Sequence, residues 1–264
     1  MCVSINPADL SRVKAFTYLT DLPIGGQPTH VSGYINAAVT GAPNCMILHF
    51  PAQHSLRPIH RAIETTGLME EITRDLQPIM PIPMARGFSR EPVVQTYGDY
   101  DIVLADDPSV FAELLARVRE ERRPTDVAAI ERMSQFYAAH YADHRFVLAC
   151  WDGSIAPSHP IVVAYVPLSD DVLFVPGLEG HDGKPPVIGA PVKRDIHVAF
   201  GISGITLQHH VGYSDPNLEL LWWTPKSVTG FFDNRVAPNG DFVVPIDAIK
   251  EKLTGADLVM ELIS

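Results

Sequence analysis

The chain has 264 residues, 46% of them hydrophobic and 19% charged, with a formal net charge of −11. That length can bury one large core or two small ones, and that composition excludes an intrinsically disordered protein, whose low hydrophobicity could not offset the entropy of ordering. The acidic balance speaks against a nucleic-acid binder, which needs a basic stripe for phosphates; neither half of the chain holds more Lys and Arg than Asp and Glu.

Elements are read in chain order from hydrophobic pattern and punctuation. The segment Arg12 to Leu19 favours a strand, as does Thr29 to Val39, with Gly33 as a bulge. Asn44 to Phe50 is a short apolar run stopped by Pro51, the pattern of a buried strand. Helical spacing of Ile59, Ile63, Leu68, Ile72 and Leu76 predicts a helix from about Pro58 to Leu76, with Gly67 as a break. The segment from Gln77 to Pro92 carries Pro78, Pro81, Pro83 and Pro92, so it reads as a stiff, apolar loop. Strands Val93 to Tyr97 and Tyr100 to Ala105 follow, joined through Gly98-Asp99. Asp107 as N-cap and Pro108 at the first helical position open a helix striped by Val110, Leu114, Leu115 and Val118. A second helix is expected from about Asp126 to Tyr141, the pair making a central helical hairpin.

Beyond Arg145 the pattern is almost wholly β. Strands are expected at Phe146 to Trp151, Pro160 to Val166, Val172 to Val175, Val192 to Phe200, Gly204 to His210 and Leu218 to Thr224. Asn239-Gly240 between Val236 and Phe242 signals a β-hairpin. A short helix from Asp247 to Leu253 and a strand from Asp257 to Ile263 close the chain. The fold class is therefore α+β, a mostly antiparallel or mixed sheet with a central helical hairpin and short flanking helices. Residues 1–264 read as a single domain, with 1–144 and 145–264 as closely packed sub-domains.

Cys2, Cys45 and Cys150 form no CxxC pair, which removes zinc ribbons and thioredoxin-type motifs. A sparse, odd set of cysteines suits a reducing compartment, most simply the cytoplasm. No secretory signal and no apolar run of about 18 residues is present, so a soluble, non-membrane protein is expected. Sequence motifs of P-loop NTPases, Rossmann dehydrogenases, α/β-hydrolases and zincins are missing.

Two functional readings follow. The first is a binding or assembly protein that self-associates or takes a protein partner through Met80, Met84 and Phe88 of the proline-rich loop and through Trp222 and Trp223. The second is a hydrolase-type enzyme in which His181, Asp182, His197 and His209 or His210, with Glu179, bind a divalent metal or supply a general base. His49, His54 and His60 make a further imidazole group; Cys45 and His49, four apart on a strand, share a face, and Cys45 reads as core.

Overall fold

Every side chain from Asn44 to Phe50 is buried, so this strand must be covered on both faces, and the architecture follows from what covers it. The structure is a computed structural model that describes residues 3–24, 26–59, 68–73, 94–154, 156–157, 159–213 and 223–251.

The strand belongs to a five-stranded antiparallel sheet. Its order is β1 (Val3–Ser4), β4 (Asn44–Phe50), β8 (Arg145–Trp151), β7 (Tyr100–Ala105) and β6 (Gln95–Tyr97). Alternate residues of these strands feed two cores, as a period of two requires. Cys45, Ile47, Leu148 and Cys150 face the helices, among Phe111, Leu115, Met133 and Tyr137. Met46, Leu48, Val147 and Ala149 face the other way and join the core of a second sheet.

That second sheet has seven strands in the order β13 (His209–His210), β14 (Ser227–Asp233), β12 (Ile196–Ile202), β2 (Asp9–Ile24), β3 (Gln27–Val39), β9 (Ile161–Tyr165) and β5 (Arg57–Pro58). Only the β12–β2 pairing is parallel. Two antiparallel ribbons complete the β-structure, β10 (Val172–Val175) with β16 (Phe242–Pro245) and β11 (Pro191–Lys193) with β15 (Val236–Pro238). The helices are α1 (Leu68–Ile72), α2 (Phe111–Leu115), α3 (Val127–His140) and α4 (Ile246–Lys250). The α+β class is thus observed, and it is dominated by sheet.

The central helical hairpin is not formed. Asp107 caps as expected, its carboxylate accepting from the Ser109 N–H at 2.7 Å, but the first arm is a 3-10 turn running into the five residues of α2. The chain then leaves helical geometry so that Arg119 and Arg122 reach the buried Asp101 on β7. The Arg123 guanidinium ties the same turn by donating to the Val118 carbonyl. Only α3 has full length, with Asp126 as its cap through the Ala129 N–H at 2.9 Å.

Of the helix expected over Pro58 to Leu76, the start is corrected, since Arg57 and Pro58 pair with β9. The described part Leu68–Ile72 is helical as expected, its buried Leu68, Met69 and Ile72 joining the core of the seven-stranded sheet, and residues 60–67 and 74–76 lie outside the described residues. The strand expected from Val192 to Phe200 is divided between β11 and β12. Of Gly204 to His210 only β13 is a strand. The loop from Gln77 to Pro92, the strand expected at Asp257 to Ile263 and most of Leu218 to Thr224 lie outside the described residues.

Gly33 is no bulge. It pairs regularly with Phe16 and Val162, while the irregularities of the β2–β3 ladder fall between Ser11 and Lys14 and between Thr20 and Ile24. Glycine stands at 33 because the Phe16 ring lies over its Cα; a Cβ there would run into the ring. Gly33→Ala is expected to cost about 1–3 kcal/mol as an overpacked site. Chemical denaturation of the single variant and of Gly33→Ala/Phe16→Leu checks this, the second change recovering part of the loss.

Candidate functional site

The densest group of titratable side chains sits where three elements meet. The β4 strand carries His49 on the same face as Cys45, as expected from their spacing. At the end of α3, Tyr141 is the C-cap, and its carbonyl accepts from the His144 N–H at 3.0 Å, which folds both rings toward His49. Between β15 and β16 the chain delivers Asp241. Its Oδ2 accepts from the Tyr141 hydroxyl at 2.9 Å, and its Oδ1 accepts from the Gly177 N–H at 2.8 Å. His49 Nε2 lies 3.3 Å from Asp241 Oδ1, without the alignment of a good hydrogen bond. His49 Nδ1 and His144 Nδ1 are 3.0 Å apart. One of the two nitrogens must donate and the other accept, so both rings cannot hold a proton there.

The electrostatics follow from burial. Asp241 and His49 are 0% and 1% exposed. Burial alone would raise the Asp241 carboxyl, but His49, the Gly177 N–H and the Tyr141 hydroxyl together hold it below the ordinary range. The same burial, reinforced by Asp241, raises the Tyr141 phenol. His144 is pushed down to about 3, first by desolvation and then by His49. A third buried imidazole, His30 on β3, stands edge-on to Tyr165, and neither of its nitrogens has a hydrogen-bond partner among the described residues. Desolvation lowers it to about 3 as well. The cluster ties the helical layer, the five-stranded sheet and the β10–β16 ribbon to one carboxylate; its chemistry is that of a brace that resists protonation.

Asp241 is turned inward by its neighbours, which is why Asn239-Gly240 does not make a hairpin. Strands β15 and β16 pair with β11 and β10 instead of with each other. The Asn239 side chain pairs like a strand partner with Glu179, accepting from its N–H and donating to its carbonyl, each at 2.8 Å. Arg194, 0% exposed, donates to the Pro238 and Gly240 carbonyls and lies over the Phe242 ring at 4.5 Å. Sequence spacing linked none of Asp241, His144 and Tyr141 to His49, because their approach depends on the packing of separate layers.

The four expected metal ligands are placed as follows. His181 pairs with Glu179, which raises the imidazole. Both lie in the segment bonded to the start of the chain through the Ser4 N–H to the Gly180 carbonyl and the Ala8 N–H to the His181 carbonyl. Asp182 accepts from the Lys184 N–H. His197 is on β12, stacked on Phe232 at 4.3 Å, and is lowered by burial and by Lys14. His209 pairs with Val228 on β13, and β14 runs between it and His197. Glu179, His181 and Asp182 stay together in one loop, which the structure does not join to His197 or His209. Among the described residues no group of three or more His, Cys, Asp or Glu side chains is arranged to hold a metal ion. Met80, Met84, Phe88 and Trp222 lie outside the described residues. Trp223 is described, and its 0% exposure corrects its expected place on an interface: its ring belongs to the core of the seven-stranded sheet.

An exposed aromatic surface lies on β14, at the Phe231-Phe232 pair. Phe232 is 49% exposed on the outer side, in register with His197 and through it with Lys14, whereas its neighbour Phe231 turns inward against Phe200 and Phe242. The β13 strand covers only Ser227 and Val228 of β14, so from Gly230 to Asp233 the outer edge has no strand beside it among the described residues. Asp233 of this segment is buried and paired with Arg235 at 2.8 Å. No helix among the described residues is long and apolar enough to cross a membrane.

No protein-family model matches this chain, and no curated protein matches it. Several solved structures are similar, among them the following. Baculovirus P35 is 12% identical, with 95% of this chain and 92% of that chain covered at a TM-score of 0.45. A mutated baculovirus P35 after caspase cleavage is also 12% identical, with 92% of each chain covered and a TM-score of 0.43. The caspase-8/P35 complex gives 12% identity over 92% of this chain and 88% of that one, at a TM-score of 0.42. At these scores the similarity does not establish a shared fold.

Proposed function

We propose that this chain acts by binding protein, and that it self-associates through the outer edge of β14. The observation that carries the reading is Phe232, an aromatic ring 49% exposed on a strand whose edge from Gly230 to Asp233 has no strand beside it among the described residues. An edge strand offers unpaired N–H and C=O groups to another chain, and an exposed aromatic beside it supplies the buried anchor that backbone pairing alone lacks. Pairing of Asp233 with Arg235 reduces the repulsion that this carboxylate would exert on a second copy. Met80, Met84 and Phe88 remain proposed partner contacts, supported by the apolar, proline-stiffened sequence that carries them.

Sedimentation velocity over a wide concentration range tests the reading. The wild-type mass should rise toward a dimer, and Phe232→Ser should weaken association by about tenfold or more. Added salt should strengthen association, because each copy carries a formal charge of −11. A strictly monomeric wild-type chain at high concentration removes self-association. Caspase-8, the protein bound to P35 in one of the similar structures, serves as a heterologous probe. Capture of it that is lost on replacing Met80, Met84 and Phe88 by alanine would place the protein contact on that segment.

A further inference from the structure

Cys45 and Cys150 are thiols, both completely buried, and they are direct partners in the register of β4 and β8. The hydrogen bonding fixes what kind of pair they form. The Cys45 carbonyl accepts from the Ile5 N–H at 3.0 Å, on the β1 side of the strand. A residue's N–H and C=O point to the same side of an antiparallel strand, so toward β8 the Cys45–Cys150 pair is the non-hydrogen-bonded kind. Such pairs bring Cα atoms to about 4.5 Å, with side chains at their closest, inside the range of about 4.4–6.8 Å that a disulfide spans. Both residues face the helical layer. The next residue in the same row is Asp101, opposite Cys150 on β7, and it is held by Arg119 from the 3-10 turn at Glu120–Arg122 that packs against β8.

We propose that Cys45 and Cys150 are a redox-active dithiol that closes to a cross-strand disulfide when the chain exchanges with a small-molecule disulfide. In the first step one thiolate attacks a sulfur of the small disulfide, forming a mixed disulfide and expelling one thiolate. In the second step the opposite thiolate attacks the protein sulfur of that mixed disulfide and expels the other small thiolate. The two protein protons end on the two small thiols released, and the two protein sulfurs are oxidised by two electrons in all. Closure cross-links the two central strands beneath the helical layer, so the five-stranded sheet carries a covalent brace in an oxidising compartment and none in a reducing one. The turn held by the Asp101–Arg119 pair is the cover that has to open for the small disulfide to enter.

The test equilibrates the full chain with reduced and oxidised glutathione, quenches with acid, and maps Cys45 and Cys150 peptides by mass without reduction. Arg119→Ala, which releases the cover, is run beside the wild type so that slow entry is not mistaken for failure to pair. The expected result is a peptide linking Cys45 to Cys150, with a disulfide-to-dithiol ratio at least about tenfold higher in the folded chain than in the same chain in urea, a shift of about 30 mV. Cys150→Ala should leave Cys45 as thiol or mixed disulfide with no internal link. Equal ratios in folded and unfolded chains, or links from Cys2 that form as readily as the Cys45–Cys150 link, would overturn the proposal.

Discussion

Replacing Asp241 by alanine is expected to lower stability by about 3–5 kcal/mol, the cost of breaking a buried charge-paired network from one side. The Gly177 N–H and the Tyr141 hydroxyl lose their acceptor in a place that water does not reach, and the His49 imidazole loses the carboxylate 3.3 Å from its Nε2. For a chain of this length that is a fall in melting temperature on the order of 10 °C. Asp241→Asn retains an acceptor for the Gly177 N–H and loses the charge facing His49, so it should cost less, about 1–3 kcal/mol. Denaturant unfolding followed by tryptophan fluorescence reads both. A loss below about 1 kcal/mol for the alanine variant would mean that the carboxylate braces nothing.

Acid should unfold this protein through its histidines before its carboxylates titrate. His30 and His144 are held near 3 in the folded chain, against about 6.5 for a free imidazole. Their folded values are depressed, so between pH 6.5 and 3 the unfolded chain binds protons that the folded chain refuses. Stability is therefore full above pH 6.5 and falls as pH drops toward 3. The slope approaches about 1.4 kcal/mol per pH unit for each ring, so by pH 4.5 the two together cost about 5 kcal/mol. Asp241, with its carboxyl below the ordinary range, adds its own loss only at lower pH still. Unfolding free energies measured across this window should show the drop, and His30→Phe should remove about half of the slope. A flat profile from pH 7 to 4.5 would contradict the burial of both rings.

Local features were legible where a local cause sets them. The apolar run Asn44–Phe50, buried throughout, is a strand with the bounds its sequence implies, and so is Val172–Val175. Asp107 and Pro108 begin a helical turn because capping is decided within a few residues. Failures occur where a distant partner overrides the local signal. Asn239-Gly240 has the composition of a tight turn, yet the backbone of Glu179 and the guanidinium of Arg194 pull the segment into the core. The helical hairpin is lost because Arg119 and Arg122 are drawn to Asp101, on a strand that precedes them. Gly33 reads as an irregularity in sequence, and only the neighbouring strand's Phe16 shows why the glycine is needed. The candidate site was half legible for the same reason. Cys45 and His49 share a face by strand periodicity, whereas Asp241, Tyr141, His144 and Cys150 reach that face through the packing of separate layers.

The proposed binding edge is tested most directly by hydrogen exchange of the full chain at low and high protein concentration. Self-association through β14 predicts that amides from Gly230 to Asp233 exchange more slowly as concentration rises, and that Phe232→Ser abolishes this protection while the core of the five-stranded sheet stays protected. Exchange at β14 that is independent of concentration, in a chain that remains monomeric, would contradict it.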